Sequence, residues 1–181
     1  MMTYHERNQC VLACLHPVTA ARVSRLLEYL EAFGEDVLLT SGKRSEEEQN
    51  DLWASGRTKP GRIVTHVKGR ESFHYWGVAF DLVPVLFFIP IWNSHKRYDA
   101  IARIALALGF QWGFQMWGFD KPHFQYTQGL SIEDFYMGKS PKPEPLHELE
   151  VPSPENLRQR SIVRGLSRFF GRIGIRVFTR Q

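Results

Sequence analysis

Across its 181 residues the chain has only two cysteines, Cys10 and Cys14. Their spacing near one end is neither a zinc ribbon nor a disulfide framework, so both are expected to be small buried hydrophobes in a reduced protein. Long hydrophobic runs are missing too. The stretch 83–92 is about half the length of a bilayer crossing and is broken by Pro84 and Pro90, which excludes a transmembrane helix there. Residues 11–15 are too short for the apolar core of a signal peptide and follow the polar His5, Glu6 and Arg7. The chain is therefore expected to be made in the cytoplasm without an export signal. An excess of positive charge is absent from most of the sequence: residues 1–138 carry 14 Lys and Arg against 15 Asp and Glu, whereas residues 139–181 carry nine against four. The formal charge of +4 thus belongs to the C-terminal stretch, and anything it implies about anionic partners concerns that stretch alone.

What is present suits one globular domain and a tail. The length can bury one good core. Pro141, Pro143, Pro145, Pro152 and Pro154 fall among charged residues and read as an extended linker, giving a domain over 1–138, a linker over 139–153 and a tail over 154–181. In the tail Arg160, Arg164, Arg168 and Arg172 lie opposite Ile162, Val163, Leu166, Phe169, Phe170 and Ile173, the pattern of a basic amphipathic helix. Arg164, Arg168 and Arg172 are candidate contacts to an anionic membrane or lipopolysaccharide. Docking on the domain or on a second copy is the other reading of this helix, and nucleic acid is not an expected partner.

Within the domain, Thr19 is placed to cap a helix whose Val23, Leu26, Leu27, Leu30 and Phe33 recur at helical spacing before Gly34. Residues 37–40 read as a buried strand. Ser45 and Glu48 have capping-box spacing for a second helix ending before Gly56, and 99–108 reads as a third helix stopped by Gly109. The apolar stretch 83–92 reads as a pair of short strands over the core, or as an apolar lip, with His95 as a polar turn residue.

Chemistry concentrates in residues 72–81, Ser-Phe-His-Tyr-Trp-Gly-Val-Ala-Phe-Asp. The alternation after Gly77 predicts a strand that puts Asp81 on the face opposite Phe80, and a carboxylate in so apolar a strand is costly to bury without a partner such as a metal ion. His123, in Asp-Lys-Pro-His-Phe-Gln over 120–125, supplies a third ligand. Two histidines and one carboxylate leave the fourth position of a tetrahedral zinc open, as in catalytic sites, and Asp120 lies three residues away as a candidate proton acceptor.

Ser-x-His-x-x-Gly-x-Ala-x-Asp followed by Asp-x-Pro-His-Phe resembles the zinc peptidases that cut peptidoglycan stem peptides, both VanY-like D,D-carboxypeptidases and phage L-alanyl-D-glutamate endopeptidases. Residues 40–49 and 56–61 look closer to the phage group. The resemblance implies an α+β fold of the Hedgehog/D,D-peptidase kind, with a small antiparallel sheet flanked by helices and one Zn2+ held by His74, Asp81 and His123. It implies Asp120 as the base, Arg44 as the donor to the developing oxyanion, and Gln49 as a substrate contact. Ser72, two residues before a ligand, is expected to hydrogen-bond beside the site. Arg57 or Lys59, in a loop that also carries Arg62 and Lys68, is a candidate for an acidic group of the stem peptide, such as the D-glutamate carboxylate. The expected activity is endopeptidase cleavage of the L-alanyl-D-glutamate bond by a phage or prophage endolysin that reaches the wall through a holin pore. The alternatives are a D,D- or L,D-carboxypeptidase and a non-catalytic wall-binding module. Where family members often carry Trp-Gly-Gly and an acidic residue before Trp, this chain has Trp112-Gly113-Phe114-Gln115 and then Trp117.

Overall fold

A computed structural model describes residues 2–145. The rest of the predicted linker and the tail, with Arg164, Arg168 and Arg172, lie outside the described residues. The elements run α1 (Tyr4–Cys14), α2 (Pro17–Ala32), β1 (Val37–Ser41), α3 (Glu46–Ala54), a 3₁₀ turn at Gly69–Glu71, β2 (Ala79–Leu86), β3 (Ile89–Pro90), α4 (His95–Ala107), β4 (Gln111–Trp112), α5 (Gly113–Trp117), β5 (His123–Gln125) and α6 (Ile132–Tyr136). The strands pair antiparallel in the order β1-β2-β5-β4, and β3 folds back on the far end of β2. This is the expected α+β architecture with a small antiparallel sheet.

One face of the sheet carries the core. Phe80, Leu82 and Phe124 pack with the buried stripes of α2 (Val23, Leu26, Leu30) and α4 (Tyr98, Ile101, Ala105). Each such side chain contributes about 1.5–3 kcal/mol on leaving water, so this face anchors the strands whose opposite face holds Asp81. The β1–β2 register slips between Leu39 and Ser41. Leu39 faces Leu82 and Ser41 faces Asp81, leaving Thr40 as an extra residue beside the chemistry, a common place for a bulge.

Several elements depart from the sequence expectation. The helix expected from a Thr19 cap begins at Pro17, whose fixed φ suits a first helical position, and His16 Nδ1 accepts from the Val18 N–H at 3.4 Å. Thr19 is instead fully buried inside it. The third helix begins at His95 rather than Asp99, because the polar residues 95–97 form its solvent side while Tyr98 turns wholly inward. α1 opens with a Thr3–Glu6 capping box and buries only Asn8 and Leu12. That narrow inward stripe leaves Cys10 and Cys14 exposed, correcting their expected burial. Asn8 serves β1 as a neighbouring strand would: its Nδ2 donates to the Val37 carbonyl at 3.0 Å and its Oδ1 accepts from the Leu39 N–H at 2.7 Å.

The apolar stretch 83–92 is a hairpin of β2 and β3, and its tip leaves the core. Phe87 and Phe88 sit at φ 48° and 64°, each 85% exposed, and the Tyr4 hydroxyl donates to the Phe88 carbonyl. At the other end of the chain, contacts with the domain continue past residue 138. Pro141 is buried, Lys142 and Gln128 exchange two hydrogen bonds, and Glu144 accepts from Arg22 at 3.4 Å and from the Tyr126 hydroxyl at 3.1 Å. Among the described residues no helix is long and apolar enough to cross a membrane.

Candidate active site

Strand register builds most of the site. β2–β5 pairing sets Asp81 opposite His123, and β1–β2 pairing sets Ser41 opposite Asp81. Directly opposed residues bring their Cβ atoms to about 4.5–5.5 Å, so two of the predicted ligands meet by sheet geometry alone. His74 comes from the loop before β2, where its carbonyl accepts from the Arg44 N–H at 3.1 Å. His74 Nε2 and His123 Nδ1 are 3.2 Å apart, and Asp81 Oδ1 lies 3.4 Å from the first and 3.3 Å from the second. Zinc bonds of about 2.0–2.1 Å in a tetrahedron put the donor atoms about 3.3 Å apart along each edge. The three atoms therefore span one face of such a tetrahedron, and the residues fit the ion.

Both rings are held in the tautomer a metal needs. His74 Nδ1 lies 2.7 Å from the Gly42 carbonyl, so it carries the proton and leaves Nε2 its lone pair. His123 Nε2 faces Gln125 Oε1 at 3.1 Å, which leaves Nδ1 free, and the Gln125 amide donates onward to Gln111 Oε1 at 2.8 Å. Such supporting hydrogen bonds raise ligand basicity and fix ring orientation. Gly42 can approach because it has no side chain; a Cβ there would fall 2.8 Å from Val11 Cγ1.

The electrostatics follow from burial and contact. Burial alone would raise the Asp81 carboxyl, but His74 and His123 outweigh it and hold the group well below the usual carboxylate range. His123 moves the other way: burial disfavours its charged form, yet the Asp81 carboxylate against it raises its pKa. A metal ion and protons compete for these same donor atoms.

Asp120 is partly buried beside this cluster. Burial raises its pKa, with the Asp81 carboxylate adding to the rise, and His123 and His74 oppose it. α5 lies close against this segment, and a Cβ on Gly113 would sit 2.6 Å from the Asp120 carbonyl oxygen and 2.9 Å from His123 Cβ. The Trp117 ring, 48% exposed, flanks His123 at 5.2 Å between centroids.

Arg44 is held from three sides. Its Nη2 meets Asp81 Oδ2 at 2.5 Å, Nε donates to Ser41 Oγ at 2.9 Å, and Nη1 donates to Gln49 Oε1 at 3.3 Å. The guanidinium thus holds the carboxylate oxygen turned away from the two imidazoles.

Gln49, expected at the substrate, is fully enclosed. Its carbonyl takes Arg44, and its amide donates to Thr65 Oγ1 at 3.2 Å and to the Val67 carbonyl at 3.0 Å, tying the 56–69 loop to the arginine. Ser72 is buried as well, its Oγ accepting from the His74 N–H at 3.3 Å. Both support the site from behind rather than line it. Arg57 folds back on α3, donating from Nη1 to the Trp53 carbonyl at 2.6 Å with its guanidinium 4.7 Å from the Trp53 ring centroid, which leaves little of it for a stem-peptide carboxylate. Lys59 is spent on Asp51 at 2.8 Å.

Three contributors were not assigned from sequence. Gln125 was readable as sharing a strand face with His123, which is the signal for its role. The Gly42 carbonyl gives no sequence signal. Tyr98 is fully buried and, among the described residues, its hydroxyl has no hydrogen-bond partner; its pKa is pushed up to about 12 by burial, with Asp120 and Asp81 adding to the rise.

A family model described as D-alanyl-D-alanine carboxypeptidase matches residues 65–126, the segment that carries all three ligand positions and Asp120. Peptidoglycan L-alanyl-D-glutamate endopeptidase CwlK of Bacillus subtilis (strain 168) is 34% identical over 121 residues, covering 61% of this chain and 72% of that protein. The chain belongs to the VanY-like peptidase family. This VanY-like chain is also 29% identical over 141 residues to the L-alanyl-D-glutamate peptidase of Listeria phage A118, spanning 76% of its own length and 47% of the phage protein. Among solved structures, the Serratia marcescens L-Ala D-Glu endopeptidase ChiX superposes with a TM-score of 0.50 at 24% identity, covering 71% of this chain and 90% of that one, and so shares the fold.

Proposed function

We propose that this chain is a zinc peptidase that hydrolyses the L-alanyl-D-glutamate bond of peptidoglycan stem peptides. The observation that carries the reading is the triangle of His74 Nε2, Asp81 Oδ1 and His123 Nδ1, sized for zinc, with the Asp120 carboxylate and a held guanidinium beside it. CwlK and the phage protein, both named for this bond, support the choice of substrate.

Zinc held by the three ligands would supply Lewis-acid chemistry, activating water and polarising a carbonyl. The rest falls to the chain. Asp120, whose pKa burial raises, accepts the proton of the attacking water and delivers it to the leaving amine. Arg44, in contact with Asp81, is positioned to donate to the carbonyl oxygen as it gains negative charge, a contribution of about 3 kcal/mol for a preorganised donor. Gln49 and Ser41 keep the guanidinium from swinging away. The domain occupies 1–138, with Pro141, Lys142 and Glu144 packed against it, and release through a holin brings the protein to the wall, where the tail meets anionic lipid.

The test is mass spectrometry of purified peptidoglycan after digestion by zinc-loaded protein, with chelator-treated protein and Asp120→Asn in parallel. New L-alanine ends on glycan-linked products and new D-glutamate-initiated peptides, missing from both controls, are expected. Release of terminal D-alanine alone would assign the chain to carboxypeptidase chemistry, and no zinc-dependent product would end the peptidase reading.

A further inference from the structure

A groove of about 470 Å3 lies outside the metal cluster, between α3, the 3₁₀ turn and α6. Glu46, Asn50 and Trp53 line it from α3, Lys68 and Arg70 from the turn region, and Tyr136 from α6. We propose that it is a saccharide subsite that seats the glycan from which the stem peptide hangs. This inference rests on the peptidase reading above and names more of its substrate.

The lining argues for a neutral polyol. Arg70 and Glu46 bond each other at 2.8 Å, and Lys68 and Glu71 bring one further charge of each sign, so the groove has no net field with which to attract an acidic or basic peptide. Apolar peptide side chains would find little aliphatic surface, since Ala54 is the sole aliphatic side chain of the lining. Aromatic surface and hydrogen-bonding groups are plentiful. Tyr136, 54% exposed, supplies the open aromatic surface, and Trp53 forms a wall whose ring already carries the Lys68 ammonium 3.9 Å and the Arg57 guanidinium 4.7 Å from its centroid. Among the described residues the Asn50 amide has no hydrogen-bond partner, and the Lys68 ammonium has no carboxylate partner. Pyranose rings offer C–H faces to aromatic rings and a rim of hydroxyl and acetamido groups to amides and charges, which matches this combination. The volume falls within the usual range of small-molecule sites, about 300–1,000 Å3.

The groove is also braced. Gly69, at φ 41°, lets the turn lie flat on α3, where a Cβ would meet Glu46 Cγ at 3.1 Å. The Arg70 carbonyl accepts from Trp76 Nε1 at 2.9 Å, and the Trp76 ring stacks on Phe135 at 5.4 Å, next to Tyr136 in α6. Chain connectivity ties this frame to the chemistry: His74 follows Glu71 by three residues, about 10 Å at full stretch. In a stem peptide the L-alanine is joined to the sugar, so a scissile bond after it lies one residue from the glycan. A sugar seat this near the ligand loop would orient that bond.

The experiment titrates metal-loaded full chain with the peptide-free disaccharide of N-acetylglucosamine and N-acetylmuramic acid, its lactyl carboxyl capped as the primary amide so that the probe is neutral, read by tryptophan fluorescence and by amide shifts of Asn50. Saturable binding is expected, weakened about tenfold in Trp53→Ala and in Asn50→Ala, the latter having no structural bond to lose. The preference for glycan-linked over glycan-free stem peptide, as a ratio of KM values, should fall by the same factor in both variants. No saturable binding by the unaltered chain, or an unchanged KM ratio in both variants, would overturn the subsite. Because the disaccharide has no peptide bond to cut, a chain that binds it yet digests nothing would sink the peptidase reading and leave the subsite standing, while a chain that digests wall but ignores the disaccharide would do the reverse.

Discussion

The two ends of β2 differ in how completely their conformation is determined. At Asp81 the strand is paired on both sides, with Ser41 and with His123, and its carboxylate meets two imidazoles and a guanidinium, each fixed by a further partner in Gly42, Gln125, Ser41 or Gln49. Six residues on from Asp81, Phe87 and Phe88 turn the chain with left-handed φ values that suit asparagine and glycine, and their rings stand in solvent. The first end spends polar groups to hold one geometry against burial. The second holds a backbone that its own side chains disfavour. A strand can thus be over-determined where chemistry needs it and strained a few residues away, provided the core between stays anchored, as Leu82, Val83 and Val85 are.

The comparison is sharpest if the determined end is broken first. His123→Ala should abolish both metal retention and turnover, read as zinc content after dialysis together with wall digestion. A variant that kept one zinc per chain would remove His123 from the ligand set. Asp120→Asn should keep its zinc and lose about 10²- to 10⁴-fold in turnover, the usual range for a positioned proton acceptor; loss of the metal as well would make Asp120 a ligand. Gln125→Leu tests whether the outer hydrogen bonds matter as the geometry implies. Zinc affinity should fall about 10–100-fold in competition with a chromophoric chelator while Gln125→Glu, which keeps an acceptor, holds more of it.

The strained end should respond in the opposite sense. Replacing Phe87 by Asn and Phe88 by Gly removes two unfavourable backbone conformations, each costing about 1–3 kcal/mol. A gain of even one kcal/mol raises Tm by about 2–4 °C in a chain of this size. A lower Tm would mean that the rings stabilise the tip more than its backbone strains it. The smallest effect concerns pH. Because the folded protein raises the Asp120 pKa, it binds that proton more readily than the unfolded chain, so stability falls as pH rises from the ordinary carboxylate value through the raised one. Metal-free Asp120→Asn should therefore be more stable than its parent at neutral pH, with the difference fading in acid; a difference that grew on acidification would reverse the sign of the shift.

The ligand positions were legible because a strand with one carboxylate among apolar residues, and two histidines each beside a recognisable turn or strand, are local patterns. The Ser45–Glu48 capping box was legible for the same reason, and α3 begins where it says. What escaped depends on distant partners. Gln49 reads as a polar residue of a helix, and only the fold shows it enclosed between Arg44 and the 65–67 segment. Tyr98 lies just ahead of the visible apolar periodicity, yet it is as buried as Ile101. α1 has no strong apolar stripe to announce it, since its fully buried residues are one leucine and one amide.

That amide bears on whether the sheet can pair with another molecule. β1 is an outer strand, and Val37 and Leu39 offer a carbonyl and an N–H on the side away from β2, where a strand from another molecule could add. Asn8 occupies both groups from within the same chain. One side chain on an otherwise unremarkable helix thereby closes a sheet edge to strand addition, and its loss would show as self-association before it showed as lost catalysis.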